Sequence, residues 1–149
     1  PTGALKGYKE ALMAAAERGV DVRVITNSKA TTDAPQINQA AIFPYRELLR
    51  AGVRIFERSD DRCLHTKAAV FGGNTAAIGS WNADNRSASL NSESLVVAYD
   101  EDIAKQTENM MIRDMAPAVS TEVLLEDIES LPYSEEIENS FVSILSDLM

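Results

Sequence analysis

Apolar residues recur at helical spacing over residues 4–18, where Leu5, Tyr8, Leu12, Ala15 and Ala16 share one face. Gly19 follows as a helix stop. Val20, Val22, Val24 and Ile25 then form a β-branched run that predicts a buried strand. Thr26, Asn27 and Ser28 open a polar loop running to about Gln36. A second helix is predicted over 37–50, with Pro44 marking a kink or restart inside it and Gly52 ending it. Val53, Ile55 and Phe56 make the next strand. Strands that follow helices in this way predict an α/β sheet covered by helices.

The pattern then changes. Leu64–Phe71 and Thr75–Ser80 read as two strands joined by the turn Gly72-Gly73-Asn74. Ser94–Tyr99 reads as a further strand, and Asp102–Met115 as a helix with acidic residues at its start. Beyond Pro117, Ser120 or Thr121 is expected to cap a helix through Leu131, which Pro132 breaks. Ser134 is expected to cap a last helix with Ile137, Phe141, Ile144, Leu145 and Leu148 on one face.

Charge separates the chain into two parts. The net charge is −9, yet residues 1–116 hold all 14 basic residues against 15 acidic ones. Residues 117–149 hold eight acidic residues and no basic one. The body therefore lacks the basic excess of a nucleic-acid binder. With 45% hydrophobic and 25% charged residues, the composition is that of a globular domain. No run approaches the ~20 apolar residues of a membrane-spanning helix. Cys63 is the only cysteine, which excludes an internal disulfide and a cysteine-cluster zinc site and leaves a buried or half-buried apolar role as the expectation. Pro1 is not an initiator Met and the helical pattern starts at once, so the chain is expected to be a piece of a longer protein.

The chemistry concentrates in His65-Thr66-Lys67, Gly79-Ser80-Trp81-Asn82 and Asn91-Ser92-Glu93. On a strand, His65 and Lys67 point to one face, and Ser80 and Asn82 form a second such pair near the end of the neighbouring strand. A hairpin brings the pairs together. A neutral imidazole can attack phosphorus, and an ammonium and an amide can stabilise charge on the non-bridging oxygens. A carboxylate on the other imidazole nitrogen would fix its tautomer, and Glu93 is the candidate.

These residues resemble the HKD motif of the phospholipase D superfamily: His-x-Lys-x4-Asp, then Gly-Ser-x-Asn, then Asn-x-Glu. Here the stretch reads LHTKAAVFGGNTAAIGSWNADNRSASLNSESLVVAYD. The segments AAAERGVDVRVITNS and LLRAGVRIFE resemble the second half of bacterial cardiolipin synthase-like members, so the similarity covers about residues 1–115. It implies an α/β fold with a mixed β-sheet flanked by helices on both faces. It divides the chain into a catalytic half with one HKD motif, 1–116, and an acidic helical C-terminal extension, 117–149. His65 would be the nucleophile, or the acid/base partner of a histidine in another half-site. Lys67 and Asn82 would bind phosphate, Ser80 would assist by hydrogen bonding and Glu93 would orient His65. The family uses no metal or other cofactor, so none is expected.

Two departures bear on this. Gly72 stands where the motif has Asp, which suggests a turn rebuilt around a shorter side chain. His65 is the only histidine, so a two-histidine site needs a second HKD half, from a missing N-terminal domain or a second chain. Trp81, between Ser80 and Asn82, is expected to pack away from them, and Met110, Met111 and Met115 to lie in the core. Asp84, Arg86 and Ser87 read as a structural turn after Asn82, with Arg86 also able to touch phosphate. The resemblance implies a phosphatidyl transferase or phospholipase acting on phospholipid, associated with a bacterial membrane. Two rivals remain: a dimeric nuclease, and a degenerate half with a structural role.

Overall fold

A computed structural model of the 149-residue chain describes residues 2–32, 44–83, 87 and 90–130. The expected start of the second helix, the turn residues Asp84 and Arg86, and the helix after Pro132 lie outside the described residues.

Helix α1, Thr2–Glu17, ends where the periodicity ends, and Val20 N–H returns to Ala15 O at 3.1 Å. Strand β1 is Arg23–Asn27, so Thr26 and Asn27 complete the strand instead of opening the loop. Helix α2 is described over 44–50, with Pro44 its first described residue. Strand β2, Arg54–Arg58, runs parallel to β1 with Val24 beside Ile55. Strand β6, Ser120–Val123, runs antiparallel along the other side of β2 with Val123 beside Ile55. This corrects the expected helix start at Ser120 or Thr121. Thr121 and Val123 are β-branched, and the strand gains a ladder with β2 that the local sequence does not reveal. Helix α4, Leu125–Glu129, begins only after it, with the Asp127 carboxylate accepting from Leu124 N–H at 3.1 Å.

The β1-β2-β6 sheet is thus mixed. Side chains alternate across it. Val22, Val24, Ile55 and Val123 turn to one face and pack with Leu12, Met13 and Ala16 of α1, Tyr45, Leu48 and Leu49 of α2, and Ile128 of α4. Ile55 is completely buried there. Burial of such a side chain stabilises by about 1.5–3 kcal/mol. The Tyr45 hydroxyl, inside this core, donates to Glu57 Oε1 at 3.0 Å. On the opposite face the buried Arg58 guanidinium reaches Asp60 at 2.6 and 2.9 Å and Asp114 at 3.5 Å. Ser120 Oγ donates to Asp114 O at 2.6 Å on the same side. Asp114 ends helix α3, Glu101–Asp114, so helices meet both faces of the sheet, as expected.

The second sheet is antiparallel, in the order β3-β4-β5: Ala68–Phe71, Thr75–Gly79 and Leu95–Tyr99. Helix α3 lies against all three strands. Its N-cap is Asp100, whose carboxylate accepts from Ile103 N–H at 2.9 Å, and Glu101 and Asp102 occupy its positive end. No helix among the described residues is long and apolar enough to cross a membrane.

Candidate active site

The β3–β4 hairpin carries the site. Gly72 and Gly73 both have positive φ, 57° and 71°, the left-handed geometry that turns the chain between paired Phe71 and Thr75. A side chain at Gly72 would meet only Asn74 Oδ1, at 3.8 Å. The left-handed backbone, not crowding, is what favours glycine at this position.

His65 and Lys67 do not lie on the strand proper, which begins only at Ala68; they sit in the stretch that leads into it. Lys67 O nonetheless accepts from Gly79 N–H at 3.0 Å, so Lys67 lies across from the end of β4. Lys67 Nζ folds back to His65 O at 2.8 Å. The His65 side chain is exposed. Cys63, expected to be buried or half-buried, is exposed as well, because it belongs to the irregular segment after β2 that delivers the chain to His65.

Ser80 follows β4 directly. Its N–H donates to Ser94 O at 2.9 Å, and its hydroxyl accepts from Ser94 N–H at 3.0 Å while donating to Glu93 Oε2. Gly79 makes this approach possible. A Cβ there would collide with Ser94 O and stand 3.0 Å from Leu95 Cα.

Glu93 is the hub of the cluster. Besides Ser80, it accepts from the buried Ser87 hydroxyl at 2.7 Å and from Asn91 Nδ2 at 3.3 Å, both on Oε1. The Ser80 and Ser87 hydrogen bonds hold its carboxyl below the ordinary range against the opposing cost of burial; Asn91 and the Lys67 charge add to the effect. Asn82 joins at the margin, through a long 3.5 Å contact from Nδ2 to Ser87 Oγ. The structure therefore brings Ser80, Asn82 and Glu93 into one network with Lys67 beside it. It does not join Glu93 to His65: among the described residues, no hydrogen bond reaches the imidazole, and the carboxylate is occupied by hydroxyl and amide donors.

Two participants lie outside the sequence motif as read. Ser87, assigned to a structural turn, bridges Asn82 and Glu93. Asn27, assigned to a loop, holds the backbone of Leu64 next to His65. The only sequence signal for either is a small polar residue bordering an apolar strand or a motif. Trp81 packs edge-on against Tyr8 of α1, with ring centroids 5.5 Å apart.

Comparison with known proteins agrees with this geometry. The family model described as the PLD-like domain of cardiolipin synthase matches residues 6–115. A cardiolipin synthase A of Pseudomonas aeruginosa is 36% identical over 144 residues, which cover 94% of this chain and 28% of that protein. A cardiolipin synthase A of Pseudomonas fluorescens is 41% identical over 108 residues, 72% of this chain and 22% of that protein. A cardiolipin synthase of Clostridium perfringens is 34% identical over 140 residues, 94% of this chain and 28% of that protein. The chain thus spans less than a third of the length of these relatives. On this match, and on the residues assembled around the β3–β4 hairpin, the chain belongs to the PLD-like domain family of cardiolipin synthases.

Proposed function

We propose that this chain supplies one half of a phosphodiester-transferring site that acts on phospholipid. The supporting observation is the convergence, at the start of β3 and the end of β4, of Lys67 with the Ser80–Glu93–Ser87–Asn82 network. The relatives' names supply the substrate class. The catalytic half is residues 1–116, with β6 of the acidic extension joining its first sheet and α4 adding Ile128 to its core.

In this reading His65 is the nucleophile, or the acid/base partner of a nucleophilic histidine. In the first role its neutral imidazole attacks phosphorus. A nitrogen–phosphorus bond forms, the phosphorus–oxygen bond to the leaving alcohol breaks, and that oxygen takes a proton from an acid in the other half. A second alcohol or water then gives its proton to the same group and attacks phosphorus, releasing the imidazole. Lys67 and Asn82 hold the non-bridging oxygens as charge grows on them, and Ser80 adds a hydroxyl. Glu93, whose oxygens here accept from Ser80, Ser87 and Asn91, is assigned the role of the carboxylate that orients the imidazole. The second HKD half comes from elsewhere in a longer polypeptide or from a second chain. A membrane surface, where the substrate resides, is the expected place of action.

The test is turnover of short-chain phosphatidylglycerol micelles in chelator, by this chain and by the longer protein that contains it, beside His65→Ala. Metal-free turnover that falls at least about 100-fold in the variant, with phosphate trapped on histidine in the parent, is the expected result. Full turnover by His65→Ala would refute the assignment. Turnover by this chain alone would mean that two copies complete the site.

A further inference from the structure

Asn27 is the last residue of β1 and lies 37 positions before Leu64. Its carboxamide engages the backbone edge of one residue, Leu64, with both of its ends. Nδ2 donates to Leu64 O at 2.8 Å, and Leu64 N–H donates to Oδ1 at 2.7 Å. The two bonds reproduce the exchange between residues of an antiparallel ladder, with a side chain standing in for a strand. They also determine which end of the amide is which, because a flipped carboxamide would set donor against donor and acceptor against acceptor. Thr31 braces the amide from behind: its hydroxyl lies 3.4 Å from Asn27 Oδ1 and 3.3 Å from Arg58 O.

Leu64 immediately precedes His65. Two residues beyond His65, Lys67 O is held by Gly79 N–H at 3.0 Å. The chain at His65 is therefore pinned on both sides, to the first sheet through Asn27 and to the second through Gly79. This matters because His65 and Lys67 lie outside the ladder of β3 and have no strand pairing of their own across residues 64–66 to hold them.

We propose that Asn27 is a positioning residue for His65, fixing the backbone from which the imidazole reaches phosphorus. This rests on the reading of His65 as a reacting imidazole. Misplacing a reacting atom by 1 Å costs about 100-fold in rate. Asn27 acts through the backbone of Leu64, so its loss acts on kcat and not on KM.

The experiment uses the longer protein, short-chain phosphatidylglycerol micelles, and the variants Asn27→Ala and Asn27→Asp. Tyr45→Phe serves as the control, since it removes a core hydrogen bond far from Leu64 in the chain and destabilises the same sheet. Hydrogen exchange at the Leu64 amide is followed in parallel, and it needs no activity. Asn27→Ala is expected to speed Leu64 exchange and to lower kcat by about 10- to 100-fold with KM within about twofold. Asn27→Asp keeps the acceptor for Leu64 N–H but turns an oxygen toward Leu64 O, so it falls between parent and alanine variant. Tyr45→Phe lowers the melting temperature with kcat unchanged.

Unaltered Leu64 exchange in Asn27→Ala would refute the clamp whatever the activity. Fast Leu64 exchange with undiminished kcat would refute the positioning role and leave the reading of His65 intact. An equal fall in kcat for Tyr45→Phe would reduce Asn27 to general stability and overturn the proposal. Full turnover in His65→Ala would overturn the underlying reading, and the positioning role with it, while the exchange data would still report the clamp.

Discussion

The Ser80 hydroxyl donates to the Glu93 carboxylate while it accepts from Ser94 N–H at 3.0 Å, so one oxygen ties the end of β4 to the residues entering β5. The Ser80 hydrogen bond is the largest cause holding the Glu93 carboxyl below its ordinary range. Ser80→Ala should therefore raise the Glu93 titration midpoint, measured by NMR of the side-chain carboxyl carbon. It should not restore it fully, because Ser87 and Asn91 still donate. A lowered folded-state value contributes stability above the unfolded value, and that contribution is lost as pH falls through the folded one. Parent and variant should therefore converge in melting temperature at acid pH. An unmoved Glu93 midpoint in Ser80→Ala would contradict the network.

Gly79 is the residue at which β4 and β5 approach most demandingly. A Cβ there would collide with Ser94 O and lie 3.1 Å from Leu95 Cδ1. Gly79→Ala should force the strands apart, weaken the Ser80 N–H to Ser94 O bond and destabilise the protein by about 1–3 kcal/mol. Urea unfolding measures the cost. A variant as stable as the parent would mean that the two strands have room the geometry denies them.

The Asp60 carboxyl is lowered to about 2, chiefly through its hydrogen bond from Arg58, with Arg62 N–H and both guanidinium charges adding to it against desolvation. An unpaired Asp titrates near about 3.9. The stabilisation from this pair is thus complete above the unfolded value and is lost as pH falls toward about 2. Asp60→Asn should lower the melting temperature at neutral pH and remove part of the decline over that acid window. Parallel melting-temperature curves for parent and variant across the window would contradict it.

Much of this architecture is legible in the sequence. The i, i+3, i+4 recurrence in residues 4–18 specifies α1, and β-branched Val24 and Ile55 mark strands that do pair. The Gly-Gly-Asn turn between two apolar runs specifies the β3–β4 hairpin. These signals are local, and local conformational preference acts within a few residues. Ser120–Val123 reads as a helix start for the complementary reason. A Ser-Thr pair before an apolar run satisfies the rules for a helix cap, and only the vacant edge of β2 makes strand the better solution.

The same division runs through the site. His65, Lys67, Ser80, Asn82 and Glu93 stand at motif spacing in the sequence, with the residue types that phosphoryl chemistry needs. Which of them touch was a matter for the folded chain. Glu93 turned out to be held by Ser80, Ser87 and Asn91, and Leu64 by Asn27 from 37 positions away. A side-chain hydrogen bond is directional and acts over about 3 Å, so its partner is chosen by the packing of sheets and leaves no period in the sequence. Residue types and their order set the chemistry available to this chain; long-range packing assigned each group its partner.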